Sequence, residues 1–233
     1  MKIIALGDTH GRNAWKDVLL LNKDFDKLIF IGDYFDSFNI SSFEQLSNFR
    51  DIIAYKKANM GKVDLLFGNH DYHYLRCSDE DYSGYQRFAA TDISIELHKA
   101  LEEDLLKMCV IHDNYMFTHA GVTKTWLSNT GYDNTEPIDT YINDLFKYKP
   151  TAFRFTPGRT KCFFGGDVTQ PPTWVRQEAL LTDMVDGYIQ VVGHTGQDTI
   201  TTIDDKLVLI DTIGQPREYL IIIDGVQYVS KLP

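Results

Sequence analysis

Five short apolar runs in this chain end abruptly in glycine beside aspartate, asparagine or histidine, and this punctuation constrains the fold more than any other feature. Ile3-Ile4-Ala5-Leu6 runs into Gly7-Asp8-Thr9-His10, and Lys27–Ile31 into Gly32-Asp33-Tyr34-Phe35-Asp36. Val63–Phe67 runs into Gly68-Asn69-His70-Asp71, Tyr115–Thr118 into His119-Ala120-Gly121, and Val191-Val192 into Gly193-His194-Thr195. Runs of this length bounded by turn residues read as buried strands. The longer polar or helical stretches between the first three supply the crossovers that parallel strands require. The expectation is an α/β fold. In an open α/β sheet, ligands bind beyond the carboxyl ends of the strands. Asp8, His10, Asp33 and Asn69 therefore converge there although the sequence scatters them, and the adjacent glycines permit tight turns and close backbone approach.

Further strands are expected at Met108–Ile111, Thr199–Ile203, Leu207–Ile210, Tyr219–Ile223 and Gln227–Ser230, and the run before Gly193 extends back to Gly187. The last four strands are closely spaced, which suggests antiparallel pairing, and Asp224-Gly225 is a hairpin turn. Helix Ser42–Lys57 opens with a capping box, Ser41 with Glu44, and presents Phe43, Leu46, Phe49, Ile52 and Ile53 on one face. A second helix is read over Ile93–Leu106 from Ile93, Leu97, Leu101 and Leu105. Arg12–Leu21 and Arg176–Val185 are further helix candidates. The expected organisation is one domain over 1–233 carrying an irregular insertion around 123–175, which with Tyr72–Asp92 would shape a substrate pocket.

Composition closes off several function classes. No apolar run approaches the ~20 residues of a membrane span, and no signal-peptide pattern opens the chain. Cys77, Cys109 and Cys162 are odd in number and widely spaced, which fits a reduced cytoplasm rather than a disulfide framework. A formal net charge of −10 disfavours stable nucleic-acid binding, which relies on clustered Lys and Arg; it is compatible with cation capture.

Carboxylate, imidazole and amide oxygen are ligands suited to Mn²⁺, Fe or Zn²⁺. A shared carboxylate, best assigned to Asp33, can bridge two ions about 3.5–4 Å apart that polarise a phosphoryl group and acidify a water. His70 directly follows the candidate ligand Asn69, points differently, and is a candidate general acid. Asp36, three residues beyond Asp33, can orient it. Asp8 or Asp33 alone would read as a helix N-cap, and His119 or His194 alone as a core histidine; their joint order favours ligands.

These blocks resemble the calcineurin-like metallophosphoesterases, whose pattern is D-x-H, G-D-x-x-D, G-N-H-[DE], a histidine, then G-H. The resemblance implies a four-layer α/β/β/α sandwich of two mixed sheets flanked by helices. It implies Asp8, His10, Asp33 and His194 at one ion, and Asp33, Asn69 and His119 near the other. His119-Ala120-Gly121-Val122 and Gly193-His194-Thr195 look closest to the bacterial and phage protein-phosphatase-like branch, which commonly works with Mn²⁺ and also includes dinucleoside tetraphosphate hydrolases. Trp174-Val175-Arg176 resembles that branch's W-x-R segment, which makes Arg176, with Asn69, a substrate contact. The sequence departs from the pattern where Ser37-Phe38 stands in place of the Arg-Gly of Ser/Thr phosphatases; Arg12, Arg154 and Arg159 are spare phosphate contacts.

The function expected first is a phosphomonoesterase acting on a phosphoprotein or small molecule. The rival is a phosphodiesterase or pyrophosphohydrolase of nucleotides, including cyclic nucleotides. A binding module that reuses the fold would be expected to lack ligands that are all present here. His73 is a candidate substrate contact, and His98 and His112 have no functional context. Tyr72, Tyr74, Tyr82 and Tyr85 either line a stacking pocket or simply pack. Asp71 either caps a turn or assists the site.

Overall fold

A computed structural model of the chain describes residues 1–78, 81–156 and 165–233. Arg159 and Cys162 lie outside the described residues. The strands are β1 (Lys2–Leu6), β2 (Lys27–Phe30), β3 (Val63–Leu66), β4 (Leu106–Lys107), β5 (Cys109–His112), β6 (Tyr115–Thr118), β7 (Ile189–Val192), β8 (Thr201–Ile203), β9 (Leu207–Leu209), β10 (Glu218–Ile223) and β11 (Val226–Lys231). The helices are α1 (Ala14–Leu21), α2 (Ser42–Ala58), α3 (Asn69–Tyr72), α4 (Ala90–Glu102), α5 (Lys124–Asn129), α6 (Ile138–Tyr148) and α7 (Gln177–Asp183).

Two mixed sheets form. The six-stranded sheet runs β11-β10-β1-β2-β3-β4, and the five-stranded sheet β5-β6-β7-β9-β8. Strands β1 to β4 are mutually parallel, as are β6, β7 and β9. Alternation along β1 shows how the layers arise. Ile3 and Ala5 face the other sheet, where they meet Phe117, Val191 and Val208; Ile4 and Leu6 face outward onto Trp15, Val18, Phe49 and Ile52 of α1 and α2. Across the second sheet, Val192, Leu207 and Leu209 pack on Ala179 and Leu180 of α7. Both sheets are thus sealed between layers, with helices on the two outer faces, as a sandwich requires.

Several local expectations change. The last four strands do form two antiparallel hairpins, but β8–β9 belongs to one sheet and β10–β11 to the other. Asp224 and Gly225 both take positive φ in the second turn. The helix expected over 93–106 is α4, displaced toward the N-terminus. It stops because Asp104 adopts φ 55°, where the Leu105 and Asp104 N–H groups donate to Ala100 and Leu101 C=O. This is a Schellman stop with aspartate at the usual glycine position, and it frees Leu106–Lys107 to add a strand. On α2 the capping box is formed, but Phe43 projects into solvent while Leu46, Phe49 and Ile52 are buried. The segment expected to be irregular carries α5 and α6. Ile138, Ile142 and Phe146, spaced by four, bury one face of α6. Asn143 of that helix accepts hydrogen bonds from the backbone of Met108 and Cys109, at 2.7 and 3.1 Å. No helix of the described residues is long and apolar enough to cross a membrane.

Candidate active site

The site lies at the carboxyl ends of β1, β2, β3, β6 and β7, each of which delivers one polar block. Backbone hydrogen bonds fasten the turns to one another. The His10 and Gly11 N–H groups donate to Asp33 and Tyr34 C=O, both at 2.8 Å, and Gly193 N–H donates to His119 C=O at 2.8 Å. His10, Asp33, Asp36 and His194 take φ of 42°, 52°, 71° and 63°, a left-handed backbone that non-glycine residues adopt only where the surroundings enforce it. A Cβ at Gly68 would collide with the Asp33 carboxylate, and one at Gly193 with that of Asp8, so these glycines let the backbone press against both acids.

Asp8, Asp33 and His119 lie with ligand atoms within 4.8 Å of one another. His119 Nε2 is 3.4 Å from Asp33 Oδ2 and 2.9 Å from Asn69 Oδ1. His194 Nδ1 is also 2.9 Å from Asn69 Oδ1, and His10 Nε2 is 3.9 Å from Asp33 Oδ2. All six residues taken as ligands from the sequence are therefore brought together. Their grouping changes: the His194 ring sits with Asn69 and His119, not with Asp8 and His10. Only its backbone N–H reaches Asp8, at 3.0 Å. Block order along the chain carries no information about which way a ring turns after the strand.

The hydrogen inventory tests whether this cluster fits a cation. His119 Nδ1 is 3.1 Å from Ile31 C=O, and His10 Nδ1 is 2.6 Å from Phe35 C=O. A carbonyl only accepts, so each Nδ1 carries the proton and each Nε2 bears a lone pair. Both lone pairs face the Asp33 carboxylate. The rings do not readily take a second proton, because burial lowers the His119 pKa to about 3, and burial with the neighbouring His70 lowers that of His10 to about 4. Burial, and then proximity to other carboxylates, raises the pKa of Asp8 and Asp33. Raised carboxyl pKa values mean that the metal-free cluster retains a proton on its carboxyls opposite the imidazole lone pairs; a metal ion displaces it and satisfies carboxylates and lone pairs together.

A second cluster, Asp36, His70 and His73, has similar residue types and the opposite inventory. Asp36 Oδ2 lies 2.7 Å from His70 Nδ1 and 2.6 Å from His73 Nε2, and Oδ1 accepts the Tyr74 hydroxyl. Burial pushes the Asp36 pKa up, but hydrogen bonds from His70, His73 and Tyr74 outweigh it and hold the carboxyl below its ordinary value. Protons already fill this cluster.

Two residues that the sequence left open or missed, Asp71 and Asp211, complete the site together with Arg176. Asp71, fully buried, accepts from the N–H groups of Asp33, Tyr34 and Gly68 at 2.8, 2.8 and 3.0 Å, so it ties the β2 and β3 turns together. Asp211 follows the β9 run as Asp8 follows β1, a signal available in the sequence; burial raises its pKa to about 6, and it lies close enough to Asp8 to raise the pKa of that acid. Arg176 donates from Nη1 to His194 C=O at 3.0 Å and to Thr195 Oγ1 at 2.9 Å, and it feels the charges of Asp33, Asp8 and Asp211. Arg12 Nη1 donates to Thr9 C=O at 3.3 Å, and Arg154 Nε to Cys77 C=O at 2.6 Å. His73 is buried, with Nδ1 on Tyr82 N–H and Nε2 beside Asp36. His98 bonds within α4, and His112 pairs with Asp64. Tyr72 and Tyr74 belong to the core, whereas the half-buried Tyr82 meets Trp174, ring centroids 4.6 Å apart.

The family model for calcineurin-like phosphoesterases matches residues 1–209. The chain belongs to this family. The calcineurin-like phosphoesterases are metal-dependent hydrolases of phosphoric esters, and the lone-pair cluster at Asp33 is a site of the kind such a hydrolase needs. Among solved structures, a protein serine/threonine phosphatase from Saccharomyces cerevisiae with similarity to human phosphatase PP5 is 16% identical, with a TM-score of 0.58, covering all of this chain and 80% of its own. A metallophosphoesterase from Sphaerobacter thermophilus is 13% identical, with a TM-score of 0.49, covering all of this chain and 88% of its own. The first likeness supports the calcineurin-like fold alone. No curated protein matches the sequence.

Proposed function

We propose that this calcineurin-like phosphoesterase is a phosphatase that hydrolyses phosphomonoesters of a small molecule or a phosphoprotein with two divalent cations, Mn²⁺ first and Fe or Zn²⁺ as alternatives. The observation that carries the reading is the opposition between the two clusters: imidazole lone pairs turn toward Asp33, and imidazole N–H groups turn toward Asp36. Asp8, His10 and Asp33 hold one ion, and Asp33, Asn69, His119 and His194 hold the other. When bound, the pair supplies Lewis acidity to the phosphoryl group and acidifies a water.

The chain's own groups do the rest. His70 keeps Nδ1–H on Asp36, which turns Nε2 outward to give a proton to the leaving oxygen. Arg176 and the Asn69 amide bind phosphoryl oxygens, with Arg176 held in place by His194 C=O and Thr195. The only partner proposed is the substrate, and the cysteine usage supports a cytoplasmic location. Hydrolysis of p-nitrophenyl phosphate should require added Mn²⁺ and stop on chelation; a chelator-resistant rate would end this reading.

One observation favours a second reading, a nucleotide pyrophosphohydrolase or diesterase. Trp174 lies between Tyr82, Phe155 and His194, at centroid distances of 4.6, 4.9 and 5.4 Å, so an aromatic wall on which a base can stack borders the metal ligands. Faster turnover of dinucleoside tetraphosphate or bis-p-nitrophenyl phosphate than of the monoester would favour it.

A further inference from the structure

His73 is a buried histidine for which the proposed chemistry has no use, and its polar contacts are informative. Its Nδ1 accepts the backbone N–H of Tyr82 at 3.0 Å. A backbone N–H only donates, so in the neutral ring the proton sits on Nε2, which approaches Asp36 Oδ2 to 2.6 Å as a close electrostatic contact rather than an aligned hydrogen bond. The Tyr82 ring stacks on His73, centroids 5.1 Å apart and planes 15° apart, which fixes the ring plane. The same Asp36 oxygen receives His70 Nδ1 at 2.7 Å. The other oxygen takes the Tyr74 hydroxyl, whose oxygen in turn accepts Gln86 N–H at 2.8 Å. Asp36 is therefore clamped on both oxygens by protein groups.

We propose that His73 is a positioning residue for His70: its Nε2–H, fixed by the Tyr82 N–H on the opposite side of the ring, locks the Asp36 carboxylate in the orientation that holds the His70 ring with Nε2 toward the leaving group. This inference rests on the reading of His70 as the proton donor. His73 gives up no proton in the reaction. The proton that the leaving oxygen gains comes from His70 Nε2, and solvent returns it. The arrangement also explains why Asp36, His70 and His73 do not form a third cation site: the ring nitrogens facing Asp36 carry protons, and the other nitrogen of His73 is engaged by Tyr82.

The test compares the Mn²⁺-loaded wild type with His73→Phe, His73→Gln and His70→Asn on two substrates, p-nitrophenyl phosphate, whose leaving group departs as a stable anion, and phosphoserine, whose alkoxide must be protonated. For His73→Phe the expected kcat loss is ~10-fold on phosphoserine and roughly 2-fold on p-nitrophenyl phosphate, with KM unchanged on both. His73→Gln, which can return an N–H to Asp36, should recover most of the loss. In the metal-free protein, two ring N–H protons protected from exchange should appear downfield in the proton spectrum, one lost and the other shifted in His73→Phe. Equal losses on the two substrates, or no loss, in a His73→Phe protein of unchanged metal content would overturn the role of His73. A His70→Asn variant with no leaving-group dependence would overturn the proton-donor reading and the inference with it. A lower metal content in His73→Phe would make the cluster a cation site and overturn the inference alone.

Discussion

Two clusters a few residues apart in the chain, one centred on Asp33 and the other on Asp36, are built from the same aspartate and histidine and prepared for different chemistry. At Asp33, the backbone carbonyls of Ile31 and Phe35 take the Nδ1 protons of His119 and His10, so the faces turned inward are bare lone pairs. At Asp36, a backbone N–H from Tyr82 occupies the His73 lone pair, and the inward face carries a proton. Which backbone group stands behind each ring decides whether a histidine is a ligand or a donor. Residue type and spacing do not.

The comparison breaks most visibly at the shared carboxylate. Asp33→Asn removes the charge that both proposed ion sites would share. Losing several kcal/mol of cation binding and charge stabilisation corresponds to ~10⁴-fold in kcat/KM, with metal content, measured by mass spectrometry, falling together with activity. Retained metal and near-wild-type turnover would mean that Asp33 is not the bridge. His70→Asn should act through the other cluster. Here kcat falls by about 10²–10³ while metal content stays at the wild-type level. If the metal is lost as well, the two clusters are one functional unit and not two.

Much of this was legible in the sequence, for a physical reason. A buried parallel strand is a short apolar run with an abrupt end, and the glycine beside each ligand is demanded by how closely the backbone approaches Asp8 and Asp33. That brought Asp8, His10, Asp33, Asn69, His119 and His194 to one edge before any coordinates. Ring orientation was not legible. His194 falls on the Asn69 side because a left-handed backbone at φ 63° turns it there, and a one-dimensional pattern contains no torsion. Asp71 and His73 were undecided because a lone acid or imidazole has several uses, and the deciding partners, Asp33 N–H and Tyr82 N–H, lie 38 and 9 residues away. Helix α6 was overlooked because its polar, proline-flanked surroundings masked the spacing of Ile138, Ile142 and Phe146.

Asp71 offers a smaller test on the structural side of the same contrast. It carries the turns that place Asp33 and Asn69 but touches neither substrate nor lone-pair face. Asp71→Asn keeps one carbonyl oxygen for three N–H donors. Hydrogen bonds to a charged acceptor contribute roughly 1.5–3 kcal/mol, which at about 2–4 °C per kcal/mol for a chain of this size lowers the melting temperature by about 3–12 °C. Thermal unfolding of the metal-free protein checks it, and an unchanged midpoint would remove Asp71 from the support of the site.

The smallest expected effect concerns a carboxylate that, unlike Asp33, is given cationic partners by the chain itself. Asp64 lies 3.0 Å from His112 Nε2, 3.7 Å from Lys27 Nζ and 3.8 Å from Lys56 Nζ. Burial raises its pKa, but the His112 hydrogen bond and the two lysines outweigh burial and leave it below the ordinary 3.8. A folded-state pKa depressed in this way contributes stability above the unfolded value, and the contribution is lost as pH falls through the folded one. His112→Gln removes part of that depression. Its unfolding free energy in urea should lie below wild type by up to ~1 kcal/mol at about pH 5.5, and the two should converge toward about pH 3. A difference constant across that window would mean that His112 stabilises by packing on Phe117 and not by its charge. The contrast between a carboxylate neutralised by protein groups and one that waits for metal would then rest on Lys27 and Lys56 alone.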